Sequence, residues 1–196
     1  MEFFDVIRAR YSHKAAFAPA SRPTDEELVR IVEAGMAAPS AMNRQSPEFI
    51  IITDGDLLAR IGEITNNAVL RSAPAMIAVL GNPVDAEGFY REDYAAATEN
   101  MLLAATDLGY AVGWIDGIFR NDAVRTPVST LLGIPDDRRL CIMIPVGKPG
   151  EEGARLADDC GKRLDAAEKR VSLLVRDRQQ GLAEVPFATG DEAEAG

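Results

Sequence analysis

The chain of 196 residues holds one histidine, one tryptophan and two cysteines, and its 21 basic residues are outnumbered by 31 acidic ones, for a formal net charge of -10. Each scarcity removes a class of function. The only histidine is His13, and Cys141 and Cys160 form no C-x-x-C pair, so Cys/His zinc signatures and the H-E-x-x-H helix are excluded by count. The acidic balance leaves no positive footprint for nucleic acid or for an anionic membrane surface. No run approaches the roughly 20 apolar residues of a membrane span. The opening MEFFDVIRARY carries Glu2 and Asp5 where a signal peptide would be basic, so the cytoplasm is the expected location. Neither G-x-G-x-x-G nor a P-loop occurs. A Ser/His/Asp triad would have to use His13, and no G-x-S-x-G accompanies it. Cys141, inside LCIMIPVG, reads as a buried small hydrophobe. Nothing here supplies chemistry unaided, which favours a bound cofactor.

What is present is an ordinary globular composition, 47% hydrophobic and 27% charged. The length suits one domain burying roughly 70% of the surface of its unfolded chain. A single domain over residues 1–182 is expected, followed by a disordered acidic tail at 183–196. EFFDVIRAR predicts a short amphipathic helix through Phe4 and Ile7. In PTDEELVRIVEAGMAAPS, Thr24 and Glu27 make a capping box, with Leu28, Ile31, Val32 and Met36 on one face. Strands are predicted at 48–54, 73–81, 111–116 and 138–147, and helices over DLLARIGEIT, over the long stretch from Tyr90 to Tyr110, and over NDAVRTPVSTLLG, the last broken by Pro127. On the long helix Tyr94, Thr98, Met101, Ala105 and Leu108 form a narrow stripe suited to close packing, with a subunit interface as one option. LDAAEKRVSLLVRDRQQ is a further candidate helix. The separation of strands by helices indicates mixed α/β layering.

Three stretches carry candidate chemistry. In RARYSHKAAF, Arg10, Ser12 and Lys14 alternate, so an extended segment points all three to one side. A planar fork, a hydroxyl and a point charge then form either a compact phosphate or carboxylate site or a solvated surface strand. His13 faces the other way, as a surface or interface residue. In APSAMNRQSPEF, small residues and amides, among them Pro39, Ser40 and Asn43, can approach a flat heteroaromatic ring or form a plain polar loop. In GWIDG, Asp116 and Gly117 mark either close backbone approach to a ligand or a turn.

Taken in order, these pieces resemble the flavin-dependent nitroreductase family. RYSHKAAF is similar to its amino-terminal R-x-S-x-K/R-x-F segment, APSAMNRQSPEF to its A-P-S-x-x-N-x-Q-x-x-x-F loop, and EDYAAATENMLLAATDLGYAVGWIDGI to its long central helix and following strand. LGIPDDRRLCIMIPVGKPGEE is similar to the closing L-G-I-P, strand and G-x-P-x-E. The resemblance implies an α+β fold whose central, mostly antiparallel sheet is flanked by helices, in an intertwined homodimer that binds FMN at the interface. It implies that Arg10, Ser12 and Lys14 hold the phosphate and ribityl end with Tyr11 beside them. Pro39, Ser40 and Asn43 would reach the ring from the partner subunit, Asp116 and Gly117 would present backbone near the flavin N5, and Asn67 or its neighbour Asn66 would meet the pyrimidine edge. Lys162 and Arg163 resemble the basic pair that completes the phosphate site. No protein nucleophile is implied. The expected activity is transfer of reducing equivalents from NAD(P)H to small nitroaromatic or quinone-like acceptors by a ping-pong cycle. The alternatives are a flavin-binding or redox-sensing protein without turnover, and another flavin chemistry on the same scaffold, such as reductive dehalogenation or heterocycle oxidation.

Overall fold

The computed structural model describes residues 1–84 and 88–153, together with the backbone of two strands at 172–177 and 181–186. Its centre is a four-stranded antiparallel sheet in the order β1-β2-β4-β3, formed by β1 (Glu48–Ile52), β2 (Ala75–Gly81), β3 (Ala111–Val112) and β4 (Arg139–Gly147). AMIAVLG is buried along its whole length and RLCIMIPVG along all but Arg139, as expected of inner strands covered on both faces. One cover is α2 (Asp25–Met36) with α5 (Tyr90–Asp107), which meet Ile77, Val79, Ile142, Ile144 and Val146 through Leu28, Ile31, Met101 and Ala105. The other face carries Met76, Ala78, Leu80 and Met143 against α3 (Gly55–Thr65), α4 (Ala68–Ser72) and α6 (Asp122–Leu131).

Local chemistry starts and stops these elements. The capping box of α2 forms as its sequence predicts: Glu27 N–H donates to Thr24 Oγ1, and Thr24 N–H donates to Glu27 Oε2. Asp54 caps α3, and Asn67 Oδ1 accepts from the N–H groups of Val69 and Leu70 to start α4. The stripe Thr98, Met101 and Ala105 on α5 is buried within this chain. Helix α2 crosses it at Gly35, where a Cβ would lie 2.8 Å from Met101 Cγ.

Several expectations are corrected. Pro127 does not break α6, which runs on to Leu131 and loses only the one backbone donor that proline lacks. The strand expected at 111–116 stops at Val112. In an antiparallel ladder a residue's N–H and C=O face the same neighbour. Pro145 accepts from Gly113 N–H at 3.3 Å but has no N–H to return, and pairing resumes only at Ile115 and Met143. The helix α1 (Phe3–Ala9) forms, yet buries only Val6 and leaves Phe3, Phe4 and Ile7 exposed; Met36 is likewise exposed at the end of α2. Where a helix is expected over 164–180, Ser172–Asp177 is a strand, β5, paired antiparallel with β6 (Gly181–Pro186). This hairpin belongs to a second unit, Lys162–Gly196, separate from Met1–Gly161. No helix among the described residues is long and apolar enough to cross a membrane.

β4 ends in a tight place. A Cβ on Gly147 would fall 2.7 Å from Pro74 Cγ and 2.9 Å from Phe17 Cδ1, both rigid neighbours. Gly147→Ala is expected to destabilise the fold by about 1–3 kcal/mol through overpacking, read as a lower midpoint in chemical denaturation. An unchanged midpoint would show that Phe17 and Pro74 move aside freely.

Candidate functional site

After α1 the chain becomes extended at Arg10 and runs beside β3. Ser12 bridges Val112 in parallel, and His13 N–H donates to Val112 O at 2.8 Å. Exposure then alternates: Ser12 and Lys14 face solvent while His13, Ala15 and Phe17 face inward, as a period of two requires. Arg10 is half-buried, with Nε 3.2 Å from Glu99 Oε1 on α5. That contact is off hydrogen-bond alignment, so Arg10 Nε is a buried donor held by charge and lacking an acceptor. His13 is 2% exposed rather than at the surface, because Phe17 packs 4.4 Å from its ring and Gly153 leaves the room it fills. Its Nδ1 meets Tyr11 Oη at 3.2 Å, its Nε2 has no partner, and burial lowers its pKa.

The GWIDG stretch is joined to this segment. Trp114 N–H donates to Ser12 Oγ at 3.4 Å, at the point where Pro145 interrupts the β3 ladder. Gly113 permits the approach, since a Cβ there would lie 3.1 Å from Pro145 Cγ and 3.3 Å from His13 O. Beyond it, Asp116 directs its carboxylate to Arg120 Nη2 at 2.8 Å, while Gly117 has open space beside its backbone. Ser12 is thus joined to the stretch that leads into Asp116 and Gly117.

The loop from Ala38 to Pro47 is built separately. It is strained, with Met42, Asn43 and Gln45 all at φ between 51° and 54°, a left-handed conformation that side chains other than glycine rarely adopt. Ser40 Oγ accepts from Gln45 N–H at 2.8 Å, so this side chain shapes its own turn. The clamp is Asp93, 4% exposed in the first turn of α5: Oδ1 accepts from Ala41 N–H and Oδ2 from Ser46 Oγ, both at 2.8 Å. Pro39, Ser40 and Gln45 border a cavity with Met36, Phe49 and Asp93. Sequence reasoning missed Asp93 because an acid in a helix's first turn is ordinarily explained by the dipole. Glu99 was missed because nothing local marks it. Asp93 and Glu99 lie six residues apart on one helix, which turns them about 120° from each other. The loop carrying Pro39, Ser40 and Asn43 and the segment carrying Arg10, Ser12 and Lys14 are thus anchored to different sides of α5. Asn67 stands apart as the cap of α4, and Asn66 Oδ1 accepts from Arg71 Nη2 at 2.8 Å. Lys162 and Arg163 lie outside the described residues.

An antiparallel sheet between helical layers, with an extended cation-bearing segment beside its shortest strand, defines a nitroreductase-like α+β protein, and comparisons agree. The profile of the nitroreductase family matches residues 7–76 and 65–148. A protein of Archaeoglobus fulgidus, provisionally named an NADH dehydrogenase/NAD(P)H nitroreductase, is 35% identical over 133 residues, 66% of this chain and 76% of the relative. The NADPH-flavin oxidoreductase of Vibrio harveyi is 26% identical over 144 residues, 65% of this chain and 58% of that protein. Among solved structures, that of the provisionally named NADH dehydrogenase/NAD(P)H nitroreductase of Parabacteroides distasonis superposes with a TM-score of 0.69 at 30% identity, covering 77% of this chain and 89% of that one. The chain belongs to the nitroreductase family and is an oxidoreductase.

Two predictions follow from the geometry. Asp93→Ala removes an ionised acceptor from Ala41 and Ser46, a loss of about 1.5–3 kcal/mol per charged hydrogen bond, so hydrogen exchange at the Ala41 amide should accelerate at least tenfold while β2 amides stay protected. Equal exchange would mean that the loop holds itself. His13 is lowered in the folded state, so the unfolded chain binds its proton more readily and the stabilising contribution is complete above about pH 6.5. Stability should fall as pH drops below that value, and His13→Phe should flatten the fall; parallel profiles would assign it to other groups.

Proposed function

We propose that this chain is an FMN-dependent oxidoreductase that passes reducing equivalents from NAD(P)H to a small electrophilic acceptor, such as a nitroaromatic or a quinone, as a homodimer. The observation that carries the reading is the hydrogen bond from Trp114 to Ser12, which ties a segment of two cations and a hydroxyl to the open backbone at Gly117. The residues present fit the group. Lys14 and Ser12 are exposed on one edge, and Arg10 Nε is a buried donor without an acceptor, as expected of side chains that hold a phosphate. The relative in Vibrio harveyi is named an NADPH-flavin oxidoreductase, which supports flavin chemistry.

Bound FMN would supply two-electron transfer in two half-reactions, one with the nicotinamide and one with the acceptor, in a ping-pong order. The protein's residues bind and orient. Arg10 and Lys14 would neutralise the phosphate, Ser12 would donate its hydroxyl to it, and Tyr11 would lie beside them. The backbone of Asp116 and Gly117 offers a surface no side chain blocks, and Asn67 has amide N–H donors left once its Oδ1 has capped α4. The strained loop of Pro39, Ser40 and Asn43 faces away from its own Arg10 segment around α5, which suits delivery to the second protomer's site. The exposed Phe3, Phe4, Ile7 and Met36 supply apolar surface for that pairing.

The test is the visible spectrum of the purified protein before and after anaerobic NADH or NADPH. Flavin bands that bleach are expected. A protein that stays colourless after FMN addition overturns the proposal, and bands that persist with both donors replace it with flavin binding without turnover. Arg10→Ala is expected to weaken FMN binding roughly ten- to hundredfold, about 1.5–3 kcal/mol, in a fluorescence titration; unchanged affinity would place the phosphate elsewhere.

A further inference from the structure

A second cavity, of about 190 Å³, lies where the first turn of α5, the start of β4 and the 3-10 turn Gly117–Arg120 meet. Its wall carries Tyr90, Arg91, Tyr94, Arg120 and Arg139 and a single carboxylate, Asp116, over a floor of Phe119, Leu140 and Cys141. Asp116 is already paired with Arg120 at 2.8 Å. Neither Arg91 nor Arg139 makes an ion pair among the described residues, so among those residues two positive charges at this cavity are uncompensated. Uncompensated guanidinium groups converging on a cavity match a planar anion.

The wall is built around these charges. Arg91 Nε donates to Tyr90 Oη at 3.3 Å, and its guanidinium lies 5.7 Å from that ring's centroid, which holds the fork at the rim. Tyr90 and Tyr94 stand 5.9 Å apart as one aromatic side. Between Val79 and Leu80 the register with β4 slips, from Ile142 to Leu140, so Cys141 is the extra residue of a β-bulge and is turned to the cavity floor. Gly81 makes the floor possible, since a Cβ there would lie 2.8 Å from Tyr90 Cδ2 and 3.1 Å from Cys141 Sγ. Burial pushes the Cys141 thiol up to about 11 and also raises Tyr94, so both stay neutral at physiological pH and add no negative charge.

We infer that this cavity is a binding site for a one-ring aromatic acid, whose carboxylate pairs with Arg91 and Arg139 and whose ring lies along Tyr90 and Tyr94. The volume is below the roughly 300 Å³ at which drug-sized pockets begin, so a dinucleotide does not fit inside while a single substituted ring does. Because Asp116 belongs both to this wall and to the proposed flavin edge, the site favours acceptors that carry an acid group. That last step rests on the flavin reading; the binding itself does not.

The experiment is calorimetric titration of the full chain with 4-nitrobenzoate and with 4-nitrobenzamide, which has the same outline without the charge. The acid should bind at least tenfold more tightly. Arg91→Gln and Arg139→Gln should each abolish that preference while leaving FMN affinity unchanged, which separates failure here from failure of the flavin reading. Equal affinity for acid and amide, or a preference that survives both substitutions, overturns the site. Inorganic phosphate that displaces the acid at equal concentration overturns its aromatic part and leaves a plain anion site. If one variant misfolds, the other carries the test, since Arg91 lies on an exposed helical turn and Arg139 at a strand end.

Discussion

The β2–β4 ladder is the constraint on which both sites depend, because each site forms where that sheet is interrupted. An inner antiparallel pair buried on both faces has little freedom, and Ile77 opposite Ile144 sets the register for everything attached to it. The departures from regularity are both on β4. At Cys141 a bulge adds one residue and turns a side chain toward the arginine-lined cavity. At Pro145 a missing donor ends β3, and just beyond it the Trp114 amide, which faces away from β4, binds Ser12. A continuous ladder at Cys141 would not have left the cavity floor.

Helix α5 does for the loops what β4 does for the strands. It buries Thr98, Met101 and Ala105 in the chain's own core and leaves two acids on other sides, Asp93 for the strained loop and Glu99 for Arg10. These are different kinds of contact. Asp93 is buried and satisfied by two donors, so removing it strands both. Glu99 and Arg10 are each about one-third or more exposed, and such a pair contributes little to stability. Its consequence is orientation: it keeps the guanidinium near the segment without saturating its donors.

Much of this was legible in the sequence, and the exceptions have common causes. The capping box of α2, the buried runs of β2 and β4, and the alternation of Arg10, Ser12 and Lys14 are local patterns, and local patterns survive folding. Several of the failures depended on partners distant in the chain. β3 stops at Val112 because of Pro145, 33 positions away by number. His13 is buried because Gly153 makes room for it. The stripe on α5, compatible with a subunit interface, is filled by α2 of the same chain, while Phe4 and Ile7, the expected apolar face of α1, lie outside the core. Arg91, Arg120 and Arg139 sit on three separate elements, so no window of sequence contains their cluster.

Two positive sites in a protein of net charge -10 raise a question of range. Charges more than about 8 Å apart in water are largely screened at physiological ionic strength, so the acidic surface as a whole gives only weak repulsion of an approaching anion. Within a cavity a guanidinium meets its partner at about 4 Å, where an effective dielectric of about 20 allows roughly 4 kcal/mol per pair before desolvation is subtracted. The short-range term therefore decides whether an anion is retained, and the long-range term slows its arrival. Such a combination discriminates against polyanions, which must bring many charges close to the acidic surface, and favours small ligands with one anionic group. The phosphomonoester proposed for Arg10, Ser12 and Lys14 and the carboxylate proposed for Arg91 and Arg139 are both of that kind.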